Sequence, residues 1–226
     1  MTHRWRLVAI LLTLAAAGAS VVAWYGFHDR LPEKVPIHWN LRGEPDGWVP
    51  RDGALGYLLI LPGVMAGVTL LGLALPWLSP RGFDLDRFRE TFEYIIALIV
   101  AMFGYIHLVT LLAGFGLGFD LNRVLLGGLF LFFALLGNVL GKVQRNFYVG
   151  IRTPWTLASE AVWIRTHRVG AWLFTACGLA AALAALAGLH PVVCFVLLAP
   201  AALVPIFYSL WLYKKLEKQG RLGEPS

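Results

Sequence analysis

The sequence predicts an all-α integral membrane protein of about six transmembrane helices. Both termini are cytoplasmic, and the helices carry a structured outer loop and an amphipathic cytoplasmic segment. Three observations predict it. The chain of 226 residues is 58% hydrophobic and only 14% charged, with a mean hydropathy of +0.69. Six apolar runs are each long enough to cross a hydrocarbon core, which needs about 20 residues at a rise of 1.5 Å. Lys and Arg, 19 together, gather on one side of those runs. The runs lack the alternation of barrel strands, and open strand edges do not survive in lipid, so helices are the spanning elements.

Taken in order, Arg4 and Arg6 precede the first run, residues 7–24. Its small-residue patch, AAAGAS, also suits a cleaved signal peptide, but apolar character continues to Phe27 and favours a retained first helix. The outer loop follows, residues 28–53. Pro32, Pro36, Pro45 and Pro50, with Gly43, Gly47 and Gly53, exclude a long helix there and predict short extended pieces joined by turns, a compact cap. The second run, 55–78, holds Pro62 and Pro76, which suggest kinks. Runs 92–118, 124–140, 169–189 and 192–213 complete the set, the last with Pro200 and Pro205. Turns at 119–123 and 188–191 are short and make their neighbours antiparallel, whereas 28–53 and 141–168 are long enough to have structure of their own. No internal repeat is evident. The chain divides into a two-helix unit with its cap (1–91) and a four-helix unit with a cytoplasmic motif at 137–172 (92–226).

Orientation follows from charge. Arg4 and Arg6, then Arg81, Arg87 and Arg89, then Lys142, Arg145, Arg152, Arg165 and Arg168, and finally Lys214, Lys215, Lys218 and Arg221 all fall on one side. The positive-inside rule makes that side cytoplasmic. The net charge of +6 therefore answers to anionic lipid headgroups and not directly to nucleic acid. Cys177 and Cys194 differ too much in depth for a disulfide and are read as packing residues.

Three constellations are candidates for chemistry. On the outside, His38 with Glu44 and Asp46, flanked by Trp39, Asn40 and Trp48, could bind a ligand or metal or gather protons; a histidine bonded within the cap is the plainer reading. Within the bilayer, His107 near the middle of the third run is expensive at that depth. It is either functional or a neutral ring bonded across helices, with Thr110 near it and Asn138 as a candidate partner. Glu93 enters the same run near the cytoplasmic face, where snorkelling accounts for it. On the inside, residues 137–172 read GNVLGKVQRNFYVGIRTPWTLASEAVWIRTHRVGAW. Gly150 and Thr153-Pro154 end the preceding helix, and Thr153 can cap a new one with Pro154 in its first turn. From Trp155 to Arg168 the pattern predicts an interfacial helix burying tryptophans and presenting Glu160, Arg165 and Arg168. A bland Trp-anchored basic loop is the alternative.

That stretch resembles the signature of the SdpI family. The matching positions run from Gly137, Asn138, Gly141 and Lys142 through Arg145, Asn146, Gly150, Ile151, Arg152, Thr153, Pro154, Trp155, Thr156 and Leu157 to Glu160, Trp163, Thr166, His167 and Arg168. The outer LPEKVPIHWNLRGEPDGWV is similar to the small domain that precedes this signature in longer members. The resemblance implies a multi-pass cell-membrane protein that protects bacteria against a secreted toxic peptide. It also implies that a transcriptional repressor is held at the membrane through the cytoplasmic motif. A membrane enzyme would need a nucleophile or metal set, and the sequence offers neither a Ser–His–Asp/Glu arrangement nor paired ligand motifs, so no catalysis, cofactor or metal is expected. The competing class is a small transporter or channel using His107 and Asn138. Against it stand the few charges in the spans and the lack of an inverted repeat.

Overall fold

The computed structural model describes residues 3–40, 43–80, 83 and 85–223. Arg81 of the charge tally lies outside them. Along the chain run α1 (Arg4–Phe27), the hairpin β1 (Lys34–Trp39) and β2 (Pro45–Pro50), α2 (Ala54–Leu58), α3 (Ile60–Leu78) and α4 (Arg89–Gly114). These are followed by α5 (Leu121–Leu140), α6 (Pro154–Ala158), α7 (Glu160–Leu186) and α8 (Pro191–Lys218). Six helical stretches among the described residues are long and apolar enough to span a membrane. Leu7, Leu14, Trp77, Leu183 and Phe207 point outward, where lipid would meet them, so the chain is a multi-pass membrane protein.

Between helices in lipid, attraction comes from close packing more than from burial of oily surface. The α5–α7 contact shows how. A Cβ on Gly178 would stand 2.7 Å from the backbone nitrogen of Ala134, and one on Gly137 would stand 2.5 Å from that of Thr175. The two backbones touch there, and only glycine leaves room. Helix α4 serves both halves of the protein. Its Ala97 and Val100 pack with Ala9, Ala16 and Met65 of α1 and α3. Nearer the cytoplasm its Phe92 and Ile95 pack with Val139, Val143 and Trp163. Cys177 and Cys194 are both free and belong to one apolar cluster of α7 and α8.

The proline-rich loop folds as the predicted extended pieces. Antiparallel pairing brings Val35 opposite Val49 and Lys34 opposite Pro50, with irregular register around His38. The cap closes on the helices through buried Leu31, Val35, Val49 and Ala54.

The kink that Pro62 predicts in the second span falls at Leu59, between α2 and α3; Pro62 has no N–H to offer the carbonyl of Leu58, so the ladder is interrupted one turn earlier. Three expectations are corrected. The third span stops at Gly114, which leaves His107 about 10 Å from its outer end and not at mid-span. Glu93 does not snorkel. It is buried, 2.7 Å from Arg6 Nε and 3.4 Å from His3 Nδ1, because α1 brings its basic first turn against α4. Finally, there is no interfacial helix from Trp155 to Arg168. Ser159 is extended (φ −140°, ψ 128°) and separates the short α6 from α7, which runs unbroken from Glu160 into the membrane. Trp163, Thr166 and His167 are packed against protein, not laid on a bilayer surface.

Candidate functional site

Two constructions stand at opposite ends of the helices. The inner one begins where α5 ends. The loop from Gly141 to Thr153 has no regular structure, so its backbone polar groups need partners. Asn146, fully buried, supplies four of them. Its Oδ1 accepts from the backbone nitrogens of Tyr148 and Val149, both at 2.7 Å, while Nδ2 donates to the carbonyls of Gln144 (2.9 Å) and Val149 (2.8 Å). Trp163 reaches back from α7 and donates its indole N–H to the Val143 carbonyl at 2.7 Å.

His167 is stacked on Trp163, ring centroids 4.0 Å apart. Its Nδ1 donates to the Trp163 carbonyl (2.8 Å), and its Nε2 accepts the backbone N–H of Ile151 (3.0 Å). A carbonyl only accepts and an amide only donates, so both bonds hold together only in the neutral Nδ1–H tautomer. Gly150 lets the loop approach so closely. It stands at φ +121°, and a Cβ there would fall 2.4 Å from His167 Nε2.

Thr153 and Thr156 form the capping box of α6, with Pro154 in the first turn. Thr156 also donates to the Ile151 carbonyl at 2.8 Å, and Thr153 meets Ser209 of α8 at 3.0 Å. Arg145 donates to the Leu157 carbonyl at 3.1 Å, and Arg152 donates to that of Phe147. Trp155 packs partly buried against the α7–α8 cluster. The Thr166 hydroxyl is buried without a hydrogen-bond partner among the described residues.

The motif therefore divides by exposure. Asn146, Thr153, Thr156, Trp163, Thr166 and His167 are interior and hold the knot together, whereas Arg152, Glu160 and Arg168 face solvent. Asn138, one turn before the knot, is exposed on α5, and the ring of His107 meets Ser20 instead. Asn138 is not the partner of His107.

The outer construction is a cavity of about 410 Å³ beneath the cap. The hairpin roofs it with Val35 to Trp39, α2 and α3 wall it with Tyr57, Leu58 and Leu61, and α4 floors it with His107, Thr110 and Leu111. His107 also borders a second cavity, about 310 Å³, between α1 and α4. The ring is buried and its Nε2 lies 3.1 Å from Ser20 Oγ of α1. Ser20 Oγ in turn lies 2.8 Å from the Leu58 carbonyl, the one that Pro62 leaves without a helical donor. A hydroxyl has one proton, and the carbonyl can only accept it. Nε2 therefore carries the proton shared with Ser20, and Nδ1 is the lone-pair nitrogen. Sequence reading found His107 but missed Ser20. The signal was Pro62, which orphans a carbonyl four residues back.

The remaining outer candidates pair with one another. His38 Nδ1 bonds Asp46, and Asn40 bonds Glu44 side chain to side chain at 3.0 Å across the hairpin turn. Trp48 is 52% exposed, and Trp39 is half-buried at the cavity rim. Among the described residues no three His, Cys, Asp or Glu side chains gather as a metal ion would require. His38 and His107 border one cavity, while His167 stands at the opposite end of the bundle.

A multi-pass membrane protein with a strand-roofed outer cavity and a self-bonded cytoplasmic knot is the class that these elements define. Residues 142–209, the knot with α6, α7 and much of α8, match the SdpI/YfhL protein family. Residues 11–66, which include the cap, match a domain of unknown function, DUF1648. The chain is similar to the immunity protein SdpI of Bacillus subtilis (strain 168), with 26% identity over 212 residues, 93% of this chain and 96% of that protein. No solved structure matches the chain.

Proposed function

We propose that the protein protects a bacterial membrane against a toxic peptide arriving from outside. End-to-end similarity to an immunity protein carries this reading, because it spans the cap and the knot together. The outer cavity gives such a peptide a place to be met. On the inner side, Arg152, Glu160 and Arg168 offer a fixed, exposed charge pattern on a rigid support, which suits pairing with a transcriptional repressor held at the membrane. Arg and Lys at the inner rim also suit anionic lipid headgroups.

The test is survival of a sensitive bacterium exposed to medium conditioned by Bacillus subtilis strain 168, with membrane levels matched by immunoblot. Cells carrying the protein should survive. Arg152→Ala, an exposed change, should leave the membrane level intact and reduce repressor retention. Trp163→Ala should lower the membrane level itself, because it empties the space under the knot. Equal killing of cells with and without the protein would overturn the reading.

A further inference from the structure

We infer that the inner rim carries a defined site for an anionic phospholipid, in which Arg145 and Arg152 bind the headgroup phosphate and the aromatic rings beside them meet the apolar part of the lipid. This rests on the reading that the basic inner rim meets anionic lipid, and adds which residues hold it.

Three observations carry it. First, both guanidiniums are mounted on aromatic rings. Arg145 Cζ stands 6.0 Å from the ring centre of Phe83, and Arg152 Cζ 5.9 Å from that of Phe147. The two rings meet edge to face, centroids 6.2 Å apart, so the loop after α3 and the loop after α5 present the arginines together. One donor of each is taken, Arg145 by the Leu157 carbonyl and Arg152 by that of Phe147. A guanidinium carries five N–H groups in a fixed fork, so each keeps several for a phosphate.

Second, no carboxylate among the described residues answers these two charges. On the same side of the bundle Asp86 pairs with Arg89, Glu90 with Arg4, Glu93 with Arg6 and Glu217 with Lys214. Arg145 and Arg152 are bonded to carbonyls alone. A zwitterionic headgroup would bring its own ammonium against them, so an anionic lipid is selected.

Third, the site adjoins lipid. Tyr148, edge-on to Phe147, donates its hydroxyl at 2.6 Å to the carbonyl of Leu78, the last residue of α3. There Trp77 is 92% exposed, and a tryptophan at the end of a spanning helix marks the headgroup level. Phe147 is itself 48% exposed. Guanidinium beside phenyl fits an amphipathic ligand, whereas free phosphate would leave both apolar rings uncovered.

The test reconstitutes the full chain in phosphatidylcholine nanodiscs containing a minor share of phosphatidylglycerol. The protein is then released into mild detergent and weighed with its retained lipid by native mass spectrometry. No repressor is present, because Arg152 also belongs to that reading. Phosphatidylglycerol should be enriched roughly tenfold over its share in the disc, as one charge-assisted contact implies. Arg145→Lys with Arg152→Lys, which keeps both charges and loses the forks, should remove most of the enrichment, and Phe147→Ala should weaken it. Lys214→Gln with Lys215→Gln, rim charges outside the site, should leave it unchanged. No enrichment in the unsubstituted protein would overturn the site and the lipid reading of the rim together. Enrichment that survives in the arginine pair would overturn the site and leave the rim reading standing. Displacement of the lipid by an equal concentration of inorganic phosphate would assign the arginines to a free anion and overturn the site as well.

Discussion

At the scale of single residues, the knot makes sharply different demands on neighbouring positions. Gly150→Ala must fit a side chain at φ +121° and 2.4 Å from His167. It should cost about 3 kcal/mol, read as a lower unfolding temperature in detergent, since strain and displacement of the ring add. Thr166→Val should do the opposite. Its hydroxyl has no partner among the described residues, so an apolar isostere should stabilise the protein by about 1 kcal/mol in the same assay. A loss of stability would mean that the hydroxyl is bonded in the bilayer-embedded protein. These residues were conspicuous in the sequence as a polar, aromatic cluster, but their division of labour was not. An asparagine that satisfies its own loop and an arginine that faces solvent look alike as letters. What separates them is which way the chain turns after Gly150.

At the scale of elements, the break between α2 and α3 couples three helices. Pro62 frees the Leu58 carbonyl, Ser20 donates to it at 2.8 Å, and His107 donates to Ser20 across 3.1 Å. Ser20→Ala should cost about 1–3 kcal/mol, because a buried carbonyl and a buried ring nitrogen both lose their partner. In a Pro62→Ala background, where an N–H can return to the helix ladder, the same change should cost less, by about 1 kcal/mol. Equal costs in the two backgrounds would show that the break does not create the need for Ser20. Length and hydropathy predicted the elements well. They placed the start of the fifth span at residue 169, although α7 begins at Glu160, because Glu160, Arg165 and His167 read as interfacial. His167 is tolerated there as a neutral ring with both nitrogens bonded, and pattern alone cannot see those bonds. The cap was legible through its prolines, and the cavity beneath it was not, since it is lined jointly by the hairpin, α2, α3 and α4, which lie far apart in sequence.

At the scale of the whole molecule, the charge bias sets the knot inside the cell and the hairpin outside. Contacts gather the same ends together: Arg4 pairs with Glu90, Tyr148 bonds the Leu78 carbonyl, and Ser159 bonds that of Leu222. With Cys177 and Cys194 replaced by alanine, Lys34→Cys should react with a membrane-impermeant maleimide in intact cells. Glu160→Cys should react only after the cells are opened. The reverse pattern would invert the topology and remove the cap from the path of an external peptide.

Two bonds of the knot, Thr153 to Ser209 and Ser159 to the Leu222 carbonyl, reach to the last helix and the tail beyond it. The loop is synthesised long before its partners leave the ribosome, and for that interval Asn146 and His167 can be satisfied while α6 stays undocked. Completion of the inner surface is thereby tied to delivery of the final span. Chains stopped short of α8 would present a loosened loop to cytoplasmic proteases, so the cell would display the finished surface only on finished molecules.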